Sequence, residues 1–273
     1  MKLTLGFSPC PNDTFIFDAL VNRKIETEGF EFDVYLEDVQ TLNEWALEGR
    51  LDVSKISYGV YPLIRNSYRL LSSGGALGKG VGPLLISKHT PENLDEAALQ
   101  EWVQQRRIAI PGRNTTAHFL FTHAFPYASH KEFRVFHEIE QAVLNEEVDL
   151  GVIIHENRFT YRQKGLHQVA DLGTFWEEHT GLPIPLGGIV AHNRVDEPTA
   201  QQVNHLIQQS IAYAWQQYPT VSDYVKQHAQ EMSEEVMRRH IELYVNDFSM
   251  DMGDAGRQAL DKMLNIYQIM QAE

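Results

Sequence analysis

The sequence predicts an α/β protein built as two lobes, with mixed sheets flanked by helices. Two observations carry that expectation. Over about 190 residues, short apolar or alternating segments that read as strands take turns with segments of helical spacing; beyond Pro198 only helical spacing remains. The strand–helix pairs also fall into two sets, 1–87 and 88–189, and alternation of this kind implies βαβ units. The trailing helices have no sheet of their own and are expected to pack back on the first set. The first lobe is then 1–87 together with 190–273, and the second 88–189. The chain would cross between them near Ser87 and near Gly188, an arrangement that creates a cleft and a hinge.

The elements follow in order. Leu3 to Ser8 reads as a buried strand, and after a turn Thr14 to Val21 reads as a helix capped by Asn12 or Asp13. Phe30, Phe32, Val34 and Leu36 alternate with polar residues, the period of a half-buried strand. Val39, Leu42, Trp45 and Ala46 have helical spacing, closed by Gly49. Asp52 to Ser57 is a strand, followed by a short helix at Pro62. Arg69 to Ser72 and Gly82 to Ser87 are further strands, separated by a glycine-rich run read as a flexible turn. In the second set, a polar helix spans roughly Glu92 to Gln104. Strands are expected at Arg107 to Ile110, Phe133 to Phe136 and Asp149 to Ile154, with helices after Thr116 and at Ile139 to Asn145. Leu186 to Ala191 is the last strand.

Composition narrows the function. The 273 residues are 43% hydrophobic and carry a formal charge of −14, against the basic face of a nucleic-acid or anionic-membrane binder. The single cysteine, Cys10, excludes an internal disulfide and a four-cysteine zinc site. No apolar run is long enough to span a bilayer. The start of the chain turns polar too quickly for a signal peptide, so a cytoplasmic location is expected. The pattern does not specify an oligomeric state.

Familiar motifs fail on inspection. The run Ser73 to Gly80 lacks the first glycine of a P-loop and has Gly80 after Lys79 where Ser or Thr is required; Pro83 breaks a dinucleotide fingerprint. His155-Glu156 lacks the second histidine of a zincin, Phe159 standing in its place, and His118 and His123 do not share a helix face, so no metal site is expected. Cys10 reads as a small buried filler between two prolines.

Four polar turns remain, each after an expected strand: Ser8 to Thr14, Ser54 to Tyr58, Pro111 to Thr116 and His155 to Asn157. Ends of parallel strands share one edge of a sheet, where ligands bind. Backbone N–H groups at a helix start, with the hydroxyls of Ser57, Thr115 or Thr116, suit a carboxylate or a phosphate. Plain helix capping would account for the two threonines equally well. His155 has a side chain suited to proton transfer near neutral pH, although a histidine at a strand tip is often only structural.

The runs Ser8-Pro9-Cys10-Pro11-Asn12-Asp13-Thr14-Phe15, Asp52-Val53-Ser54-Lys55-Ile56-Ser57-Tyr58, Pro111-Gly112-Arg113-Asn114-Thr115-Thr116-Ala117 and Ile153-Ile154-His155-Glu156 together resemble the 1,4-dihydroxy-6-naphthoate synthase family of the futalosine route to menaquinone, from Leu3 to about Met252. The resemblance implies a type II periplasmic-binding-protein-like fold. It implies a carbon–carbon lyase that converts cyclic de-hypoxanthine futalosine, a small anionic aromatic substrate, to 1,4-dihydroxy-6-naphthoate without a cofactor. Carried over by position, His155 is the proton acceptor; Lys55, Ile56 and Ser57 form one substrate-binding turn and Thr115 with Thr116 the other. Asn12, Asp13 and Asn43 resemble further cleft residues. The segment Glu92 to Arg107 departs from the family by its length and polarity, which implies an altered surface helix.

The competing reading is a non-catalytic binding protein for a small carboxylate on the same fold. A regulator's sensor domain lacks residues for a DNA-binding unit, and the sister enzyme that dehydrates chorismate lacks the Ser8 to Phe15 run. With a charge of −14, anion binding must come from local helix N-termini, hydroxyls and Lys55 or Arg113.

Overall fold

A computed structural model of the chain describes residues 1–89, 94–229 and 233–272. In chain order its elements are β1 (Lys2–Phe7), α1 (Pro11–Val21), β2 (Glu31–Leu36), α2 (Val39–Leu47), β3 (Val53–Ser57), α3 (Tyr61–Ile64), β4 (Tyr68–Leu70), β5 (Ala76–Gly78) and β6 (Leu84–Ser87). There follow α4 (Glu96–Gln104), β7 (Ile108–Ile110), α5 (Thr116–Ala124), β8 (Lys131–Phe133), α6 (Ile139–Leu144), β9 (Leu150–Ile153), α7 (Asn157–Thr160), β10 (His167–Asp171), α8 (Leu172–Thr180) and β11 (Ile184–His192). The last stretch is α9 (Glu197–Gln217), α10 (Asp223–His228), α11 (Glu234–Tyr244), α12 (Asp247–Met250) and α13 (Gly253–Ala272).

The strands form two sheets. The first has the order β2-β1-β3-β11-β4, with β5 also paired to β11; the second has the order β10-β6-β9-β7-β8. Strands joined through helices run parallel, as in β1/β2, β1/β3, β7/β8 and β7/β9. The strands next to the crossings run antiparallel to their neighbours: β11 against β3, β4 and β5, and β6 against β9 and β10. The sheets are therefore mixed. The chain leaves the first sheet after Gly78 and re-enters it at Ile184.

Several expected elements are corrected. Helix α1 begins at Pro11, not Thr14, with Cys10 as its N-cap. Proline at the first helical position already has a helical φ and lacks only an N–H that would be unpaired there. Asn12 and Asp13 thus lie inside the first turn. The glycine-rich run is not a loose turn. Its centre is β5, and the Leu77 and Gly75 carbonyls accept hydrogen bonds from the Asn246 and Ser249 side chains. The strand expected at Phe133 to Phe136 ends at Phe133, where the register with β7 ends; Phe136 opens a 3-10 turn instead. Strand β10 and helix α8 had no sequence expectation. As a partly exposed edge strand, β10 shows little apolar alternation, and α8 buries only Leu172, Gly173 and Trp176. The expected start of α4 at Glu92 lies outside the described residues.

The C-terminal helices divide. Val203, Leu206, Ile207 and Ile211 of α9, with Met237 and Ile241 of α11, share a core cluster with Leu5, Phe15, Ile16 and Leu20 of the first sheet and α1. By contrast, Leu260 and Met263 of α13 join the cluster of Leu120, Val152 and Trp176 from the second sheet and its helices. Helix α13 also meets β11 of the first sheet.

Candidate active site

A cavity lies between the two sheets and is lined by residues of both. Its walls are mostly apolar, with Val39, Val81, Pro83, Ile154, Leu186 and Tyr244 among the lining residues. Of the residues proposed from sequence, Asn12, Asp13, Lys55, Ile56, Ser57, Thr115, Thr116 and His155 all border it; Asn43 does not and lies behind Ser57. Segments from both sheets meet here because β1, β3 and β9 end on the sides that face each other.

The floor is built on a buried ion pair. Lys55 Nζ lies 2.8 Å from Asp13 Oδ1, and both side chains are almost wholly buried. The Asp13 carboxylate also accepts from Asn12 Nδ2 at 2.9 Å, from Ser8 Oγ at 2.7 Å and from the Ser8 N–H at 3.2 Å. It sits in the first turn of α1, where the helix dipole favours an anion. Lys55 further donates to the Gly74 carbonyl at 3.0 Å. Its charge is therefore matched within the protein. Lys55, Ile56 and Ser57 are strand residues of β3 rather than a turn. Alternation turns Lys55 and Ser57 to one face, while Ile56 packs in a cluster with Val60, Ile64 and Tyr68.

Ser57 and the start of α5 form the opposite wall. The Ser57 hydroxyl accepts from Asn43 Nδ2 at 3.1 Å, which leaves its own hydrogen for another partner. Thr115 caps α5: its hydroxyl accepts from the His118 N–H at 3.2 Å and donates to the Gly112 carbonyl at 2.9 Å. The Thr116 hydroxyl ties three segments together, accepting from the Gly59 N–H at 3.0 Å and donating to the Leu186 carbonyl at 2.6 Å. Both hydroxyls are thus engaged with protein. With the Phe119 N–H directed to the Thr115 carbonyl, the N–H groups of Thr116 and Ala117 remain, among the described residues, without a partner.

His155 follows β9 with φ of +58°, a left-handed conformation uncommon for a side-chain-bearing residue. Strain of this kind is concentrated at functional sites. The ring lies edge-on to Phe136 at 5.0 Å and nearly parallel to His240 at 6.1 Å. Burial, its main influence, brings the His155 pKa down to about 4, with Asp13 and Asp38 pulling upward and Lys55 downward. The imidazole is therefore a free base at neutral pH.

Two residues of α11 at this site escaped the sequence reading. Tyr244 lines the cavity, its hydroxyl pKa pushed up to about 12 mainly by burial. His240 is fully buried behind His155. Neither carries a local motif, and both lie on a helix whose buried face is Met237, His240, Ile241 and Tyr244. Cys10 is buried, and burial raises its thiol pKa well above the usual range, which removes it as a nucleophile. Arg113 stacks on Phe133 at 4.4 Å and does not border the cavity. Among the described residues, no three His, Cys, Asp or Glu side chains converge as metal ligands would.

Two α/β units with mixed sheets, a double crossing and a cleft between them define a periplasmic-binding-protein-like fold. Solved structures agree: the alkanesulfonate-binding protein SsuA from Xanthomonas axonopodis superposes with a TM-score of 0.71 over 99% of this chain and 93% of its own, at 12% identity, which speaks for fold alone. Protein AF1704 from Archaeoglobus fulgidus superposes with a TM-score of 0.90 at 32% identity, over 100% of this chain and 98% of that one. The chain belongs to the menaquinone biosynthesis family, whose profile matches residues 3–268. It is similar to the 1,4-dihydroxy-6-naphthoate synthases of Thermus thermophilus, at 46% identity over 96% of this chain and 92% of the relative, and of Streptomyces coelicolor, at 39% over 96% and 91%.

Proposed function

We propose that this chain is a 1,4-dihydroxy-6-naphthoate synthase, a carbon–carbon lyase acting on cyclic de-hypoxanthine futalosine, with His155 as the proton acceptor. Full-length similarity to two synthases supports the reaction. The observation that carries the role of His155 is a neutral, strained imidazole at the edge of a largely apolar cavity.

The substrate carboxylate fits the start of α5. Among the described residues α1, α2 and α5 begin at this cavity, and the Asp38 side chain caps α2. The first turn of α1 already holds the Asp13 carboxylate. The N–H groups of Thr116 and Ala117 at the start of α5, with the Ser57 hydroxyl, are positioned for a ligand anion. The Thr116 and Thr115 side chains hold that helix in place, so their contribution to binding runs through the backbone. Apolar walls receive the ring system. As the bond to the sugar fragment breaks and the ring becomes aromatic, His155 takes up the released proton and can return it as an acid. Asp13 and Asp38 favour the imidazolium that this forms.

A non-catalytic carboxylate-binding protein would use the same anion cradle but would not need a free-base histidine. The test is conversion of cyclic de-hypoxanthine futalosine to dihydroxynaphthoate by purified protein. Turnover by wild type and its loss in a folded His155→Ala variant are expected. Binding without turnover would leave the binding-protein reading instead.

A further inference from the structure

We infer that His240 is a positioning residue for this site: it holds the Asn12 amide, and through it the Asp13 carboxylate, in the orientation that faces His155. The inference rests on the proposed reaction and goes beyond it, because His240 touches neither the cavity nor its contents.

The hydrogen bonds fix the direction of the chain of contacts. Asn12 offers one acceptor oxygen and one donor nitrogen. The Asp13 carboxylate only accepts, so the Asn12 Nδ2 must be the end that faces Asp13 Oδ1, at 2.9 Å. Asn12 Oδ1 then faces His240 Nε2, also at 2.9 Å, and His240 must donate there. The nearest carboxylate oxygen to Nδ1, from Glu156, is 3.8 Å away, beyond hydrogen-bond reach. The ring is fully buried. Geometry therefore places a hydrogen on Nε2. Burial, reinforced by His155, pushes the His240 pKa well below the usual histidine range, in agreement with the neutral Nε2–H tautomer.

Two consequences follow for His155, whose ring runs nearly parallel to His240 at 6.1 Å. A neutral His240 does not oppose the arrival of a proton on its neighbour, as a charged one would. And Asp13 is held where its charge favours protonated His155. The other groups around the two rings are Lys55 on β3, Asp38 before α2, Glu156 beside His155, Cys10 before α1 and Tyr244 on α11. Among the described residues it is Asn12, and none of these groups, that links His240 to Asp13. With the donor gone, Asn12 Oδ1 is buried without a partner. The amide regains one only by turning, which sets its oxygen against the Asp13 carboxylate.

The experiment has two arms. In wild-type protein labelled with ¹⁵N in its histidines, long-range ¹H–¹⁵N spectra at pH 7 should show His240 as the neutral Nε2–H tautomer. An Nδ1–H form or an imidazolium overturns the inference. In kinetics, His240→Phe should lower kcat about 10- to 100-fold, as small displacements of a reacting group do, with KM within about twofold because the α5 cradle is untouched. His240→Gln, whose amide nitrogen can replace Nε2, should recover most of kcat. Unchanged kcat in folded His240→Phe, or no recovery in folded His240→Gln, overturns it. If His240→Phe does not fold, the Gln variant and the tautomer decide: Gln with kcat near wild type and an Nε2–H tautomer uphold the inference. Absence of turnover by the wild type would instead refute the proposed function, and the positioning role with it.

Discussion

Replacing Lys55 by methionine is a direct probe of how the site is built. Methionine keeps most of the buried stem and removes the charge. The Lys55 Nζ and Asp13 Oδ1 atoms are 2.8 Å apart, and their side chains are 6% and 2% exposed, so neither charge has water to fall back on. Removing one member of a buried pair costs about 3–5 kcal/mol, largely through the charge left behind. Asp13 keeps three hydrogen bonds, from Asn12 and twice from Ser8, which places the loss near the lower end, about 3 kcal/mol. For a chain of this size that lowers Tm by roughly 6–12 °C. Asp13→Asn should cost a similar amount, because the buried Lys55 charge then loses its counter-charge and keeps only neutral acceptors such as the Gly74 carbonyl. The double variant has no charge to bury, so its loss should fall at least about 2 kcal/mol short of the sum. Urea denaturation of the four proteins completes the cycle. A loss in Lys55→Met under about 1 kcal/mol, or strict additivity, would refute the view that this pair is a coupled, desolvated unit.

Three other outcomes are expected. A Cβ on Gly59 would sit 2.7 Å from the Thr115 carbonyl and 2.9 Å from the Thr116 nitrogen, backbone atoms with no freedom to yield. Gly59→Ala should therefore push the start of α5 away from the first sheet, raising KM several-fold and costing about 1–3 kcal/mol; a wild-type KM would show that the close approach is dispensable. Thr115→Val should cost about 1 kcal/mol through loss of the cap and leave KM within about twofold, since the hydroxyl is engaged with Gly112 and His118; a large rise in KM would mean that it touches substrate. Finally, the unfolded chain protonates His155 near pH 6.5 and the folded protein only near 4. Stability from this residue is thus complete above 6.5 and declines as pH falls toward 4, by about 2 kcal/mol between pH 7.5 and 5. His155→Gln should flatten the dependence of the unfolding free energy on pH by that amount, and an unchanged slope would contradict a desolvated, neutral imidazole.

Much of this architecture was legible from local pattern. The alternation of strand and helix, the change to helices after Pro198, and the polar turns at the strand ends are all short-range signals, and eight of the proposed residues border one cavity. Boundaries were less legible where tertiary contacts override propensity. Pro11 moved the start of α1 forward by three residues, Ala76 to Gly78 became part of a sheet because β11 pairs with it, and β10 has too few buried positions to show a period. His240 and Tyr244 are buried on α11, and only their neighbours make them part of a site.

The sequence by itself determined the fold class, the family and the identities of the groups that can bind an anion or move a proton, because these depend on residue type and local spacing. Tertiary structure alone decided how those groups are used. Lys55 looks like an anion-binding cation, yet it is consumed by Asp13. The threonine hydroxyls look like ligand contacts, yet they cap a helix and tie it to the first sheet. Burial turns His155 into a free base, and residues more than 80 positions away in α11 complete its surroundings. Such assignments follow from distance and desolvation, quantities that exist only once distant segments have been brought together.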